Sequence, residues 1–86
     1  MIEYQVQITS TAERQLKRLS KTDQRRVVNV VCSLTDDPRP KGCRKLRGYD
    51  DVYRVRVGVL RIIYAVEDDC LLVLVLKVGH RKAIYR

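Results

Sequence analysis

Eighty-six residues carrying a net charge of +8 make one domain, 1–86, with a single modest core and no room for a second module. Hydrophobic residues at 45% are ordinary for a globular chain, 33% charged is somewhat high, and the positive excess points to a polyanionic partner: nucleic acid, ribosome or an acidic protein. No basic amphipathic tail accompanies that charge and the apolar run Leu71–Leu76 is far too short to span a bilayer, so a membrane partner is not expected.

In chain order, Met1-Ile2-Glu3-Tyr4 starts directly into structure without the pattern of a signal peptide, and a cytoplasmic protein is expected. Tyr4-Gln5-Val6-Gln7-Ile8 alternates apolar and polar residues and reads as an opening strand. Ser10 with Glu13 three residues on is a capping-box pattern, starting a helix whose buried face carries Ala12, Leu16 and Leu19. Ser20-Lys21-Thr22 interrupts it. Thr22 with Asp23 then caps a second helix, striped by Val27, Val31 and Leu34 and broadened by Val28, Val30 and Cys32. The prolines and glycine of Asp36-Asp37-Pro38-Arg39-Pro40-Lys41-Gly42 stop that helix. The following loop gathers Arg39, Lys41, Arg44, Lys45 and Arg47, with Leu46 as its anchor to the core.

Val52 to Val66 reads as two strands folded at Gly58-Val59, because glycine tolerates the positive φ that tight hairpin turns demand. That register pairs Val57 with Leu60, Arg56 with Arg61 and Val55 with Ile62. Arg54, Arg56 and Arg61 then project from one face, and Tyr53, Val55, Val57, Leu60, Ile62 and Tyr64 from the face that meets the helices. Like charges held this close repel by about 1 kcal/mol in water and about 3 kcal/mol at an effective dielectric near 20. A bound anion relieves that repulsion. Glu67-Asp68-Asp69 is a solvated turn, and Leu71 to Val78 is a last strand, apolar on both faces as a covered central strand is. With Leu72, Leu74, Leu76 and Val78 facing the helices, Lys77, Gly79 and Arg81 emerge on the arginine side.

The order is β-α-α-β-β-β: an α+β fold with two N-terminal helices packed on a small, mainly antiparallel sheet. Cys32, Cys43 and Cys70 are an odd number without CxxC spacing, so neither a disulfide framework nor a metal site is expected. Cys32 is expected in the core as a small helical residue. No cofactor is expected.

Four segments, Lys45-Leu46-Arg47-Gly48, Tyr53-Arg54-Val55-Arg56-Val57-Gly58, Arg61-Ile62-Ile63-Tyr64 and Val78-Gly79-His80-Arg81 followed by Tyr85-Arg86, together make the whole chain resemble the RelE/ParE superfamily of bacterial and archaeal toxins. It most resembles the RelE branch. That resemblance implies a ribosome-dependent, metal-independent endoribonuclease that cuts mRNA in the A site and inhibits translation. It also implies a cognate antitoxin as partner, acidic and partly disordered by charge complementarity, and an assembly of two with two, a heterotetramer, is expected. The ParE branch shares the fold and poisons DNA gyrase instead.

Metal-free RNA cleavage turns the substrate's 2′-hydroxyl on the adjacent phosphate, so a site must remove a proton, stabilise a dianionic phosphorane and protonate the departing 5′-oxygen. The resemblance assigns the catalytic set to Arg54, Arg56, Arg61, Arg81 and Tyr85, with His80 a second candidate for the base. Arg56, Arg61 and Arg81 then stabilise transition-state charge, and Arg54 contacts a substrate phosphate or the leaving group. Lys41, Arg44, Lys45, Arg47 and Lys77 are expected to hold substrate or ribosomal phosphates. Two features depart from the best-known form: arginines stand where its hairpin has lysines, and Tyr85 follows Arg81 at a shorter spacing. Arginine does not give up its proton in a protein, so these residues act as clamps rather than bases. A gyrase poison on the same scaffold, and an RNA-binding relic with arginines but no working base, are the competing readings.

Overall fold

Gly58, at φ +62°, folds β3 (Val52–Val57) onto β4 (Leu60–Glu67) in the expected register, with Val57 opposite Leu60, Arg56 opposite Arg61 and Val55 opposite Ile62. The structure, a computed structural model, describes residues 3–80. Around the hairpin it places β1 (Gln5–Ile8), α1 (Ser10–Lys17), α2 (Lys21–Ser33), β2 (Arg44–Lys45), a 3-10 turn at Asp68–Cys70 and β5 (Leu72–His80). The five strands form one sheet in the order β1-β5-β4-β3-β2, antiparallel throughout except that β1 pairs with β5 in parallel. The short strand β2, inside the expected basic loop, is the one addition to the foreseen order. Among the described residues no helix is long and apolar enough to cross a membrane.

Both helices begin earlier than the residue pattern suggests. Thr9 caps α1, its hydroxyl oxygen accepting from the Ala12 N–H at 3.1 Å, and Ser20 caps α2, accepting from the Asp23 N–H at 3.1 Å. A cap needs extended backbone, which Thr9 and Ser20 have; Ser10 and Thr22 already lie inside the helices. Ala12, Val27, Val31 and Leu34 pack on Val55, Val57, Leu60, Ile62, Tyr64, Val66, Val73, Val75 and Val78 as the main core. Val28 and Cys32 do not broaden the buried stripe. Each is exposed, because it lies one residue along, and so about 100° around, from Val27 or Val31.

β5 corrects a second expectation. Leu74 and Leu76 face away from the helices, packing with Val52, Ile63, Ala65 and Leu46 in a smaller cluster on the far side, and Leu72 shares their parity. Val73 and Val75 take the helix side instead. The cause is a β-bulge: Val75 pairs with Tyr64 but Lys77 pairs with Ile63, leaving Leu76 as an extra residue. After it the parity reverses, so Val78 returns to the main core while Lys77 and Gly79 emerge on the far face, as expected.

The bulge is held from the helix layer. Thr9, just past the end of β1, donates its hydroxyl to the Leu76 carbonyl at 3.0 Å, and its backbone N–H bonds the Val75 carbonyl at 3.0 Å. Gln15 of α1 accepts the Val78 N–H on its side-chain oxygen at 2.8 Å. Backbone groups that β1 no longer reaches are thereby satisfied.

Candidate active site

On the far face, strand register arranges the cations in two adjacent rows. One runs Arg56, Arg61, Gly79 across β3, β4 and β5; the next runs Arg44, Arg54, Ile63, Lys77 across β2, β3, β4 and β5. Neighbouring strands lie ~4.8 Å apart and alternate residues along a strand ~6.7 Å apart, so five cations cover a patch about 15 Å by 7 Å. β2 contributes here what the sequence alone leaves in a loop: Arg44 stands directly opposite Arg54.

Exposure differs sharply across the patch. Arg61 is only 5% exposed, Arg54 and Lys77 are half-buried, and Arg56 and Arg44 are exposed. Arg61 is thus the most buried of the five cations, and a charge held in low dielectric acts more strongly on a nearby group than one in water. Below the two rows the face turns apolar, with Val52, Ala65 and Leu74 in register beneath Arg54, Ile63 and Lys77. Arg26, not singled out from the sequence, reaches from α2 to the β3–β4 turn: a Cβ built at Gly58 would lie 3.6 Å from its Nη1. No periodicity argument signals that approach, since it depends on how α2 lies over the sheet.

The remaining expected residues divide. His80 pairs with Leu60, on the helix-side parity, and lines a cleft with Gln15, Arg18, Ser20 and Asp23, on the side of the sheet opposite the two cationic rows. Lys45 lies opposite Tyr53, also on the helix-side parity, while Lys41 and Arg47 are exposed on either side of β2. Arg81 and Tyr85 fall outside the described residues. Among the described residues there is no cluster of His, Cys, Asp and Glu able to hold a metal ion, and Cys32, Cys43 and Cys70 are free thiols.

Arg39, although exposed, is tied down by its own partners. Its Nη1 and Nη2 donate to the Asp68 carboxylate at 3.2 and 2.7 Å, its Nε donates to the Tyr53 hydroxyl at 3.0 Å, and its guanidinium lies 5.2 Å from the Tyr53 ring centroid. The Tyr4 hydroxyl also donates to Asp68, at 2.6 Å. The guanidinium first, and the Tyr4 hydroxyl second, hold the Asp68 carboxyl below its ordinary value, and the same hydrogen bond raises the Tyr4 phenol. Tyr53 stacks on Tyr64 at 6.0 Å, and the buried Tyr64 hydroxyl donates to the Pro38 carbonyl at 2.8 Å. This network straps the segment between α2 and β2 to the sheet, and so positions Arg44 beside Arg54.

A second surface lies at the opposite edge. Val6, Ile8, Leu16, Val28, Val31 and Cys32 line an apolar groove of about 230 Å³ between β1 and the helices, with Ile8 and Val28 exposed in it.

The chain as a whole is similar to known toxins. The model of the ParE toxin of type II toxin–antitoxin systems matches residues 6–85. Toxin RelG of Mycobacterium tuberculosis is 32% identical over 84 residues, covering 96% of this chain and 97% of its own length. The M. tuberculosis toxin–antitoxin complex RelBE2 superposes with a TM-score of 0.82 at 29% identity, covering 93% of this chain and 100% of that one. The archaeal RelE–RelB complex from Pyrococcus horikoshii gives a TM-score of 0.82 at 31% identity, covering 92% and 96%.

Proposed function

Because the chain belongs to the ParE toxin family of type II toxin–antitoxin systems and is a RelE-like toxin, we propose that it halts translation by cutting mRNA in the ribosomal A site. The observation that carries this reading is the gathering of Arg44, Arg54, Arg56, Arg61 and Lys77 on one sheet face. In the reaction, the 2′-hydroxyl attacks the adjacent phosphorus, the P–O5′ bond breaks, and a cyclic phosphate and a 5′-hydroxyl remain. Arg61 and Arg56 meet the phosphorane's two negative charges as fixed, planar donors, and Arg54, Arg44 and Lys77 hold the flanking phosphates. Arg81 and Tyr85, which lie outside the described residues, complete the set by the family resemblance, Arg81 as a further charge clamp and Tyr85 as the base. His80 serves as base only if substrate reaches round the end of the sheet, so Tyr85 takes precedence.

Ribosomes stalled on a defined message, treated with the purified chain, test the reading by primer extension. Cuts appear in the A-site codon with the wild type and are lost with Arg61→Ala, a single preorganised donor being worth ~3 kcal/mol, or roughly a hundredfold in rate. Intact message refutes it. The matched family model bears the ParE name, which favours gyrase poisoning as the second reading; trapped gyrase–DNA cleavage complexes with intact message decide for that one. In either reading the toxin works in the cytoplasm and its antitoxin partner seats on the apolar groove beside β1, where uncovered Ile8 and Val28 offer an anchor.

A further inference from the structure

Gly79 has no reason internal to the described fold to be glycine. It is absent from the positive-φ positions, which are Gly42, Gly48, Gly58 and Leu71, and a Cβ built on it meets nothing within 4 Å among the described residues. It sits inside β5, where glycine weakens a strand and where its presence marks close approach by a ligand or another backbone. Its cross-strand partner is Arg61, the buried centre of the cationic face. Lys77 lies two residues back on the same side, ~6.6 Å along the strand. Of the positions in the two cationic rows, this one alone carries no side chain, and it adjoins the most buried guanidinium.

We propose that Gly79 is the floor of a notch, walled by Arg61 and Lys77, that seats the ribose of the nucleotide whose phosphate Arg61 clamps. The ligand class is single-stranded RNA backbone, and the inference rests on the RNA-cleaving reading. A ribose lying on bare peptide brings its phosphate down to Arg61; a methyl group in the notch lifts the sugar by about 1 Å and spoils the in-line approach of the 2′-hydroxyl, worth about 100-fold in rate. Gly79 itself transfers nothing. It is a positioning residue.

The test compares whole-chain wild type with Gly79→Ala and Gly79→Val in three measurements: single-turnover cleavage on programmed ribosomes, affinity for a fluorescein-labelled hexauridylate, and thermal melting. The expected melting temperatures equal or exceed that of the wild type, since a side chain there clashes with nothing described and favours the strand. Cleavage falls about 100-fold with alanine and further with valine. The oligonucleotide dissociation constant rises roughly tenfold, again more for valine. Unchanged cleavage and binding in both variants overturns the notch, as does a melting temperature lowered in both, which would make Gly79 a packing residue. A wild type that binds hexauridylate but leaves message intact removes the ribonuclease reading alone, and the notch is then judged on binding. A wild type that neither binds nor cuts removes both.

Discussion

Replacing Tyr64 with phenylalanine isolates the hydrogen bond that ties the segment after α2 to the sheet. Tyr64 is fully buried and donates to the carbonyl of Pro38, itself buried, at 2.8 Å. Phenylalanine preserves the ring stacked on Tyr53, so the change deletes one hydrogen bond and strands a buried carbonyl, about 1–3 kcal/mol near neutral pH. For a domain of this size that is a fall in melting temperature of roughly 5–15 °C. The pH dependence gives a second, independent signature. Burial first, and the neighbouring Cys43 second, raise the Tyr64 phenol above its ordinary value of 10.0, so the folded chain keeps a proton that the unfolded chain releases. Its contribution is therefore complete below about pH 10 and is lost as pH rises towards the folded value, at about 1.4 kcal/mol per unit. Phenylalanine has no such proton, so the wild-type advantage shrinks above about pH 10 and closes within roughly one to two units. Urea unfolding followed by circular dichroism, from about pH 8 to about pH 11, reads both effects. A gap that stays constant over that range, or that is missing at its lower end, would refute the reasoning.

Arg44→Ala weakens oligouridylate binding and flattens its salt dependence, lowering the slope of log K against log salt by about 0.7, one phosphate contact on a single strand; an unchanged slope places Arg44 outside the RNA path. Thr9→Ala removes the cap of α1 and the clasp on Leu76 together, costing about 1–2 kcal/mol in urea unfolding and reducing message cleavage, whereas Thr9→Ser, which keeps the hydroxyl, restores both. Asp68→Asn removes the acid sensitivity of the strap. The Asp68 carboxyl is held below its ordinary value, so its stabilisation is present above about pH 4 and lost as pH falls through the folded value; the wild type loses urea resistance there more steeply than the variant does.

The hairpin and its arginine face were legible because two short-range signals agree: a glycine at the only position where a tight turn fits, and strict alternation on both sides of it. The Val27, Val31, Leu34 stripe was legible for the same reason at helical period. The phase of Leu72–Leu76 was not, since a run apolar on both faces gives alternation nothing to grip, and the extra residue is specified by Thr9 and Gln15, far away in sequence. Strand β2 was hidden because its two residues are both cationic and its pairing is imposed by β3. Arg39 read as one more loop cation. Its partners Asp68 and Tyr53 lie 29 and 14 residues onward, beyond any local pattern.

The extra residue at Leu76 is what lets one strand serve both the core and the site. Without it, alternation from Val73 and Val75 would carry Lys77 to the helix side, next to the buried Ile62 and Tyr64, and Val78 to the cationic face. Burying an ammonium there costs several kcal/mol, and exposing Val78 forfeits about 1.5–3 kcal/mol of apolar burial. Those two penalties outweigh the ladder hydrogen bond a bulge disrupts, about 1 kcal/mol, especially as Thr9 and Gln15 supply replacements. The core therefore demands the bulge, and Thr9 and Gln15 hold it in place. The cationic face inherits the consequence: Lys77 and Gly79 arrive opposite Ile63 and Arg61 because Val78 must be inside. A substitution that weakens the demand at Val78 thus acts on the site through strand phase, with no contact to substrate at all.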